Sequence, residues 1–414
     1  MNKIYDRRIQ PLVVEGLRFA RILFLSGARQ VGKTTLVGQI ARMEGDTPMQ
    51  LITLDDRAAR QAALDDPAGF VAGLPSRAVI DEIQRAPELL LELKRIVDAD
   101  PTPGRFLITG SANVLASRRV VDALPGRLDR IELWPLARSE IEAGRFNFLD
   151  ELFRARVPQV AGAPVGPDAY SRYVTEGGYP EARLRPPGRL RNRWFADYIS
   201  GTLERDLSTL ADIRHAGELE RLLRLLASQS ANLVSYRKLA AQLEIDDKTV
   251  KEYVALLEQT FLVRRLPGWR PGLGAREAAR AKAYMCDPGL LAYLLGADEQ
   301  RVRVDDQVKG KACETLVFAE LLKHRSWAQE EVRLYHYQRE REDIDFVAES
   351  RAGEIVAIEV KAAASLGRSD RRSLERLRAA RGSTFKAGVI VHAGARTIPL
   401  GDRLWAVPFS ALWA

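Results

Sequence analysis

The stretch Leu23–Thr35 reads LFLSGARQVGKTT, and it decides the fold of the N-terminal part of this 414-residue chain. A short apolar run leads into a loop bounded by Gly27 and Gly32, and Lys33 and Thr34 follow directly. Glycine lets backbone N–H groups turn towards one point, and a helix beginning at Lys33 directs its positive end to the same point. The spacing G-x-x-x-x-G-K-[ST] therefore predicts a loop that binds the phosphates of a nucleotide.

The side chains after the second glycine predict which ligands this loop takes. Lys33 can reach the β- and γ-phosphates of ATP, and the Thr34 hydroxyl can ligate Mg²⁺. The alternative is a glycine-rich turn without a nucleotide, but it does not explain why Lys and Thr stand in register behind an apolar strand. We expect ATP and Mg²⁺ to be bound here. The predicted nucleotide-binding residues of the loop are Gly27, Ala28, Arg29, Gln30, Val31, Gly32, Lys33, Thr34 and Thr35.

Length and composition limit the class of protein. A chain of 414 residues is too long for one hydrophobic core, so we expect two to four domains. No apolar run approaches the roughly 20 residues that cross a bilayer, so no membrane partner is expected. Cys286 and Cys313 are the only cysteines, which predicts no disulfide framework and a cytoplasmic location. The net charge of +8 is compatible with nucleic-acid binding but does not establish it.

Two acids end the next strongly apolar segment. The segment Ala78–Gln84 reads AVIDEIQ, which predicts a buried strand that ends at Asp81 and Glu82. Behind a phosphate loop, Asp81 can hold Mg²⁺ through water, and Glu82 can polarise the attacking water. Paired acids at the end of a strand can also be an ordinary solvated loop. We expect the catalytic arrangement because the phosphate loop precedes it.

A further buried strand, from Phe106, ends in polar residues. In parallel α/β sheets the carboxyl ends of the strands collect the ligand contacts. Thr109, Ser111 or Asn113 can therefore sense the γ-phosphate, with Ser111 counted among the nucleotide-binding residues. The alternative for each is a plain turn of small polar residues.

The order of these motifs resembles a known family. The phosphate loop, L-D-D, V-I-D-E-I-Q, I-T-G-S, P-G-R and L-W-P-L occur in the same order in prokaryotic AAA-type ATPases that carry a C-terminal domain of uncharacterised function. The resemblance implies an α/β P-loop ATPase domain in residues 1–145, with Lys33 and Glu82 as catalytic residues.

In that family an arginine after the last sensor strand often reaches the γ-phosphate of a neighbouring subunit. The resemblance therefore implies a homo-oligomer with Arg127 as the arginine finger and a catalytic residue. Its competitors for this role are Arg118, Arg119 and Arg130. A surface arginine that only forms ion pairs remains the alternative.

The middle of the chain divides into a helical linker region, residues 146–215, and a second domain, residues 216–290. Two short helices joined by the turn Glu244–Asp247, and then two strands around an arginine-rich tip, predict a winged helix. Such a domain can bind DNA phosphates, or it can serve only as a lid or packing domain. The candidate DNA contacts are Lys248, Thr249, Lys251, Arg270, Arg276 and Arg280.

The last domain, residues 291–414, contains Asp345 and the triplet Glu359-Val-Lys361 on successive predicted strands, with Glu314 on a preceding helix. This order resembles the restriction-endonuclease-like, or PD-(D/E)xK, α/β core. The resemblance implies a divalent metal on Asp345 and Glu359, with Lys361 activating water and Glu314 assisting. The alternatives are a plain ion pair on an edge strand and a degenerate core that only binds.

The sequence therefore predicts a cytoplasmic, Mg²⁺-dependent ATPase whose hydrolysis rearranges a winged helix and a nuclease-like domain on nucleic acid. Three uses of the C-terminal part remain open. It can cut DNA, it can bind DNA without cutting, or it can belong to an ATP-regulated signalling or scaffold protein that binds protein.

Overall fold

The structure is a computed structural model that describes residues 4–43, 48–110, 125–158, 160, 165–207, 216–277, 279–339 and 342–414. Ser111, Asn113, Arg118 and Arg119, all singled out from the sequence, lie outside these residues. The chain forms two compact units. Unit 1 comprises residues 1–135 and 204–213, and unit 2 comprises residues 136–203 and 214–414.

Unit 1 is built on a parallel sheet of five strands in the order β2-β3-β4-β1-β5. The three inner strands of the sheet are fully buried and come from apolar runs of the sequence, as expected where both faces of a parallel sheet are covered, whereas the two edge strands are partly exposed. The strands are β1 (Ile22–Gly27), β2 (Gln50–Thr53), β3 (Ala78–Asp81), β4 (Phe106–Gly110) and β5 (Leu128–Leu133).

Among the described residues of unit 1, five helices connect or flank these strands. They are α1 (Gln10–Gly16), α2 (Lys33–Ala41), α3 (Arg57–Asp65), α4 (Pro67–Ala72) and α5 (Leu89–Ala99). Residues 4–19 have the spacing of a single helix, but only Gln10–Gly16 among them forms one.

The order of the strands places the predicted catalytic residues at the carboxyl ends of neighbouring strands. Strand β4 lies between β1 and β3, and Ser26 on β1 pairs in register with Gly110 on β4. Thr53 on β2 pairs in register with Asp81 at the end of β3. The carboxyl ends of all these strands therefore meet where the loop after β1 begins.

Unit 2 carries thirteen further helices within the residues described. They are α6 (Arg138–Ile141), α7 (Phe148–Phe153), α8 (Pro167–Glu176), α9 (Pro180–Arg183), α10 (Arg189–Leu207, whose last turn belongs to unit 1), α11 (Ala216–Ser228), α12 (Tyr236–Leu243), α13 (Asp247–Gln259), α14 (Leu273–Glu277), α15 (Pro288–Leu294), α16 (Glu299–Val304), α17 (Asp306–Ser326) and α18 (Arg372–Arg381).

Two sheets complete unit 2. A hairpin pairs β6 (Val263–Leu266) with β7 (Lys282–Met285) in antiparallel fashion. A mixed six-stranded sheet has the order β12-β13-β11-β10-β9-β8. Its strands are β8 (Val332–Arg339), β9 (Glu342–Ser350), β10 (Ile355–Lys361), β11 (Phe385–His392), β12 (Ile398–Gly401) and β13 (Leu404–Pro408).

The helices α12 and α13 and the hairpin lie where the sequence predicted a helix-turn-helix and two strands. Helix α13 has an N-cap, because the Asp246 side chain accepts from the backbone N–H of Thr249 at 2.8 Å. In the described part of the chain, no helix is both long enough and apolar enough to span a bilayer.

Candidate nucleotide and carboxylate sites

The loop between β1 and α2 has the backbone that its glycines predict. Gly32, the residue before α2, has φ +94°, in the left-handed region that glycine adopts without strain. Gly27 lies against β5 so closely that a Cβ there would collide with the carbonyl oxygen of Leu133. Both glycines of the motif are therefore required by the local backbone.

Lys33 is held inside this loop. Its side chain is buried, and its ammonium group donates to the carbonyl oxygens of Gly27 at 3.1 Å and Ala28 at 2.9 Å. The ammonium therefore lies within the ring of backbone that the motif assigns to the phosphates. The positive end of α2 starts at the same residue.

Three hydroxyl groups surround the buried carboxylate of Asp81. Thr34 donates to Asp81 Oδ2 at 2.9 Å, and Thr53 donates to the same oxygen at 3.4 Å. Thr109 donates to the other oxygen, Oδ1. The structure thus brings together Thr34 and Asp81, the two residues predicted for Mg²⁺, from helix α2 and strand β3.

Thr109 also connects Asp81 to its neighbour Glu82. Its hydroxyl oxygen accepts from the backbone N–H of Glu82 at 3.0 Å, and its hydroxyl proton is donated to Asp81. The sequence proposed Thr109 as a sensor of the γ-phosphate. In the structure its hydroxyl bonds to both acids, and its role as a sensor stays a prediction.

Glu82 has an unusual backbone. Its φ is +60°, in the left-handed region that residues with a side chain rarely adopt. Such strain collects at functional sites, where the surroundings must hold it in place. The backbone bond to Thr109 and a side-chain bond from Gln84 supply that support.

Arg7 is a residue of this site that the sequence analysis missed. Its buried guanidinium donates to the carbonyl oxygen of Val31 in the phosphate loop and to that of Trp134 after β5, both at 2.7 Å. It ties the loop to the far edge of the sheet. An arginine outside any motif gives no signal in a sequence, since its partners are backbone atoms of distant segments.

The arginine-finger candidates within the described residues have partners in their own domain. Arg127 forms an ion pair with Asp98 and donates to the carbonyl oxygen of Pro125 at 3.1 Å. Arg130 donates to the hydroxyl of Ser26 at 2.9 Å and lies 3.4 Å from Glu132. The role of Arg127 therefore stays a prediction.

The predicted DNA contacts of unit 2 do not share one environment. Lys248 is exposed, and Lys251 is exposed and lies 3.6 Å from the Asp247 carboxylate. Arg276 is not available, because its guanidinium donates to both carboxylate oxygens of the buried Glu349.

An additional basic feature was missed by the sequence analysis. A cavity of about 230 Å³ is lined by four arginines and an apolar floor: Arg264, Arg265, Arg325 and Arg333, with Leu266, Pro267, Phe318, Leu322, Leu334 and Tyr335.

The predicted carboxylate site of the last domain lies on α17, β9 and β10. Asp345 and Glu359 are buried or nearly so, and Lys361 donates to Glu359 Oε1 at 2.8 Å, as expected for two residues on one face of a strand. Asp345 Oδ2 accepts from the backbone N–H of Val360 at 2.8 Å. Glu314 on α17 accepts from the Tyr284 hydroxyl at 2.6 Å.

Burial shifts the pKa values of these carboxyl groups upward. Desolvation raises the pKa of Glu314 to about 8 and that of Glu359 to about 8, and the nearby Asp345 carboxylate adds to both shifts. Burial also raises the pKa of Asp345. Among the residues described, no three His, Cys, Asp or Glu side chains take up a metal-binding arrangement.

One lysine that the sequence analysis did not consider enters this carboxylate group. Lys282, the first residue of β7, is buried, and its ammonium lies 3.6 Å from Glu314 Oε1, 3.7 Å from Asp345 Oδ1 and 3.9 Å from Asp343 Oδ2. The nuclease-like motif spans residues 314–361 and so gives no reason to consider a residue of the preceding hairpin.

The parallel sheet, the phosphate loop and the paired acids define unit 1 as a P-loop nucleotide-binding domain. Comparison with known families is more specific. Residues 20–142 match the model of an AAA domain. Residues 167–301 and 309–412 match two domains of unknown function, DUF8612 and DUF4143. The chain therefore contains an AAA-type P-loop ATPase domain followed by an uncharacterised C-terminal domain, as the motif order predicted.

Relatives resemble the chain along most of its length. An uncharacterized protein of Mycobacterium tuberculosis is 29% identical over 395 residues, which cover 95% of this chain and 81% of the relative. An uncharacterized protein of Methanocaldococcus jannaschii is 23% identical over 366 residues, covering 86% and 77%. Among solved structures, AMPPCP-bound DnaA from Aquifex aeolicus aligns with a TM-score of 0.29 and 13% identity, covering 61% of this chain and 86% of that one.

Proposed function

We propose that unit 1 hydrolyses ATP in a Mg²⁺-dependent reaction at the loop 27–34. The observation that carries this proposal is the contact between Thr34 and Asp81, at 2.9 Å, beside the strained Glu82. A hydroxyl and a carboxylate oxygen at this spacing fit the hard-oxygen preference of Mg²⁺. When bound, Mg²⁺ neutralises charge that develops on the β- and γ-phosphate oxygens.

The residues of the site have distinct tasks in this reaction. Lys33 exchanges its bonds to the Gly27 and Ala28 carbonyls for bonds to phosphate oxygens. Thr34 and Asp81 hold the metal, Asp81 through water. Glu82 accepts a hydrogen bond from the attacking water and orients it towards the γ-phosphorus. Ser111 remains a proposed contact of the γ-phosphate.

Variants of the loop test ATP binding directly. Lys33→Ala and Thr34→Ala should each abolish hydrolysis, and Thr34→Ser should retain it because the hydroxyl is kept. The readouts are phosphate release and the Mg²⁺ dependence of binding of a fluorescent ATP analogue. Full hydrolysis by Lys33→Ala would contradict the assignment.

We further propose that the active form is a homo-oligomer in which Arg127 reaches the γ-phosphate of a neighbouring subunit. Arg127 is partly exposed and is bound to Asp98 by a single guanidinium contact on the domain surface, so it can exchange partners at modest cost. Arg127→Ala should lower the maximal rate of hydrolysis without weakening ATP binding, and the rate of the wild type should rise more than linearly with protein concentration.

For unit 2 we propose a winged helix in residues 216–290, a nuclease-like fold in residues 291–414, and action on nucleic acid. The helix pair α12 and α13, followed by the β6–β7 hairpin, supports the first fold. The sheet order and the placement of Asp345, Glu359 and Lys361 support the second. The four-arginine cavity presents guanidinium groups, which bind phosphates, and an anionic partner would there compete with Glu258, which accepts from Arg265, and with Glu331, which lies 3.6 Å from Arg333.

Binding to duplex DNA at several salt concentrations tests this last proposal. Affinity should fall steeply as salt increases, and Arg325→Ala together with Arg333→Ala should reduce the slope. The alternative is an ATP-regulated signalling or scaffold protein. Complete absence of DNA binding at low salt, together with a stable protein partner, would favour that alternative.

A further inference from the structure

Lys282 occupies the centre of the carboxylate group in unit 2. Its ammonium lies within 3.9 Å of an oxygen of Glu314, Asp343 and Asp345. The lysine side chain is only 6% exposed, while Glu314 and Asp345 are 18% and 12% exposed. The carboxylates of Asp345 and Asp343 compensate the charge of this buried lysine, and Glu314, whose pKa burial raises to about 8, adds a further oxygen beside the ammonium, so Lys282 acts as the cation of that site.

The hairpin holds Lys282 in this position through contacts on both sides. The residue pairs with Leu266 of β6, and its neighbour Ala283 exchanges backbone hydrogen bonds with residues 231 and 232. Two positions further on, Tyr284 donates to Glu314 and stacks on Phe318 with ring centroids 4.3 Å apart. The paired and packed backbone around Lys282 therefore holds its ammonium group beside the carboxylates.

The tip of the hairpin is fastened to the same sheet. Arg276 makes its paired bonds to Glu349 on β9, and the Trp269 indole donates to Glu349 Oε1 at 3.2 Å. The backbone N–H of Trp269 donates to the carbonyl oxygen of His336 on β8 at 2.6 Å, and the His336 ring bonds to the carbonyl oxygen of Arg280 at 2.8 Å. Lys282 thus belongs to a continuous interface between hairpin and sheet.

A divalent ion does not fit this arrangement. Mg²⁺ binds oxygen ligands at about 2.0–2.1 Å, so an ion on Asp345 Oδ1 would lie close to the Lys282 ammonium. Their like charges repel strongly in a buried site. The second lysine adds to this effect, because Lys361 occupies Glu359 Oε1 at 2.8 Å. Glu359 therefore offers a metal only Oε2, the buried oxygen that has no hydrogen-bond partner among the described residues.

We propose that Lys282 takes the place of the divalent cation, so that the C-terminal domain is a metal-free binding module closed by its own hairpin. Asp345 on β9 and Glu314 on α17 then bind the hairpin through Lys282, Glu359 pairs with Lys361, and none of the three performs metal-dependent cleavage. This inference does not rest on ATP hydrolysis, because every residue in it lies in unit 2.

Mn²⁺ binding by the nucleotide-free full chain tests the proposal, with the electron paramagnetic resonance signal of free Mn²⁺ as the readout. The wild type should bind no Mn²⁺ at this site. Lys282→Met removes the charge but keeps an unbranched apolar stem, and it should bind one Mn²⁺ more than the wild type, with an affinity at this site at least about tenfold higher. Adding Asp345→Asn to this variant should remove the gain.

Two further variants complete the design. Lys309→Met removes a lysine paired with the exposed Asp306 at 3.4 Å and should change nothing. Lys282→Arg keeps a cation and should bind no more Mn²⁺ than the wild type. A folded Lys282→Met variant without the gain would overturn the proposal. If that variant does not fold, the wild type still decides, since a bound Mn²⁺ that Asp345→Asn abolishes would overturn it and the lack of one would support it.

Discussion

Replacing Thr109 by valine removes one hydroxyl and keeps the shape of the side chain. The hydroxyl donates to Asp81 and accepts from the backbone N–H of Glu82, and Thr109 is fully buried. Valine offers neither a donor nor an acceptor. The change therefore releases one oxygen of Asp81 and leaves the N–H of the strained Glu82 unpaired.

The size of the effect follows from these two bonds. A hydrogen bond to a charged group contributes about 1.5–3 kcal/mol, and a buried unpaired N–H costs about 1–3 kcal/mol. If half of the combined loss appears in the barrier to hydrolysis, kcat falls by about 10- to 100-fold, since each 1.4 kcal/mol is about tenfold in rate. ATP binding should change little, because both hydrogen bonds of the Thr109 hydroxyl go to Asp81 and Glu82.

Phosphate release at saturating ATP measures kcat, and a fluorescent ATP analogue measures binding. Thr109→Ser keeps the hydroxyl and should remain within a few fold of the wild type. Thr53→Val is the matched control, because its bond to Asp81 is long, at 3.4 Å, and its loss should matter less. If Thr109→Val hydrolyses ATP at the wild-type rate, the positioning role is refuted.

Three further predictions concern stability. Gly27→Ala should destabilise unit 1 by about 1–3 kcal/mol in denaturant unfolding, because the added Cβ meets the carbonyl oxygen of Leu133. Arg276→Met should cost about 3–5 kcal/mol by the same measurement, since Glu349 stays buried without a cation and keeps only the Trp269 indole as a side-chain donor, and replacing Glu349 by leucine as well should recover part of the loss. Burial raises the pKa of Glu359 from 4.5 to about 8, so the folded state holds a proton that the unfolded state has lost. The melting temperature should therefore fall as pH rises from about 4.5 to about 8, and Glu359→Gln should weaken this dependence; equal slopes would contradict it.

The sequence signals of the predicted nucleotide site are local. The loop after β1 depends on glycines at fixed positions, and its backbone follows from them. The strand that ends at Asp81 is an unbroken apolar run, as a strand covered on both faces must be. Parallel order then brings Asp81 to Thr34, so the contact between residues 47 positions apart was predictable.

Other features depend on side-chain contacts between distant segments and leave no local pattern. Arg7 contacts backbone carbonyls 24 and 127 positions away, and nothing in the adjacent sequence indicates either partner. Thr109 was expected to face the phosphate, but it lies on β4 beside β3, and its hydroxyl donates to Asp81. Lys282 lies in one predicted domain and its carboxylate partners in another, so their meeting required the packing of the hairpin on the sheet.

Hydrolysis of ATP by Glu82→Gln, compared with the wild type, tests the central claim most directly. The amide keeps the size of the side chain but accepts the proton of the attacking water poorly. The variant should bind ATP with Mg²⁺ as tightly as the wild type and release phosphate about 100-fold more slowly. Phosphate release at the wild-type rate would contradict the assignment of Glu82 and, with it, the proposed catalytic site.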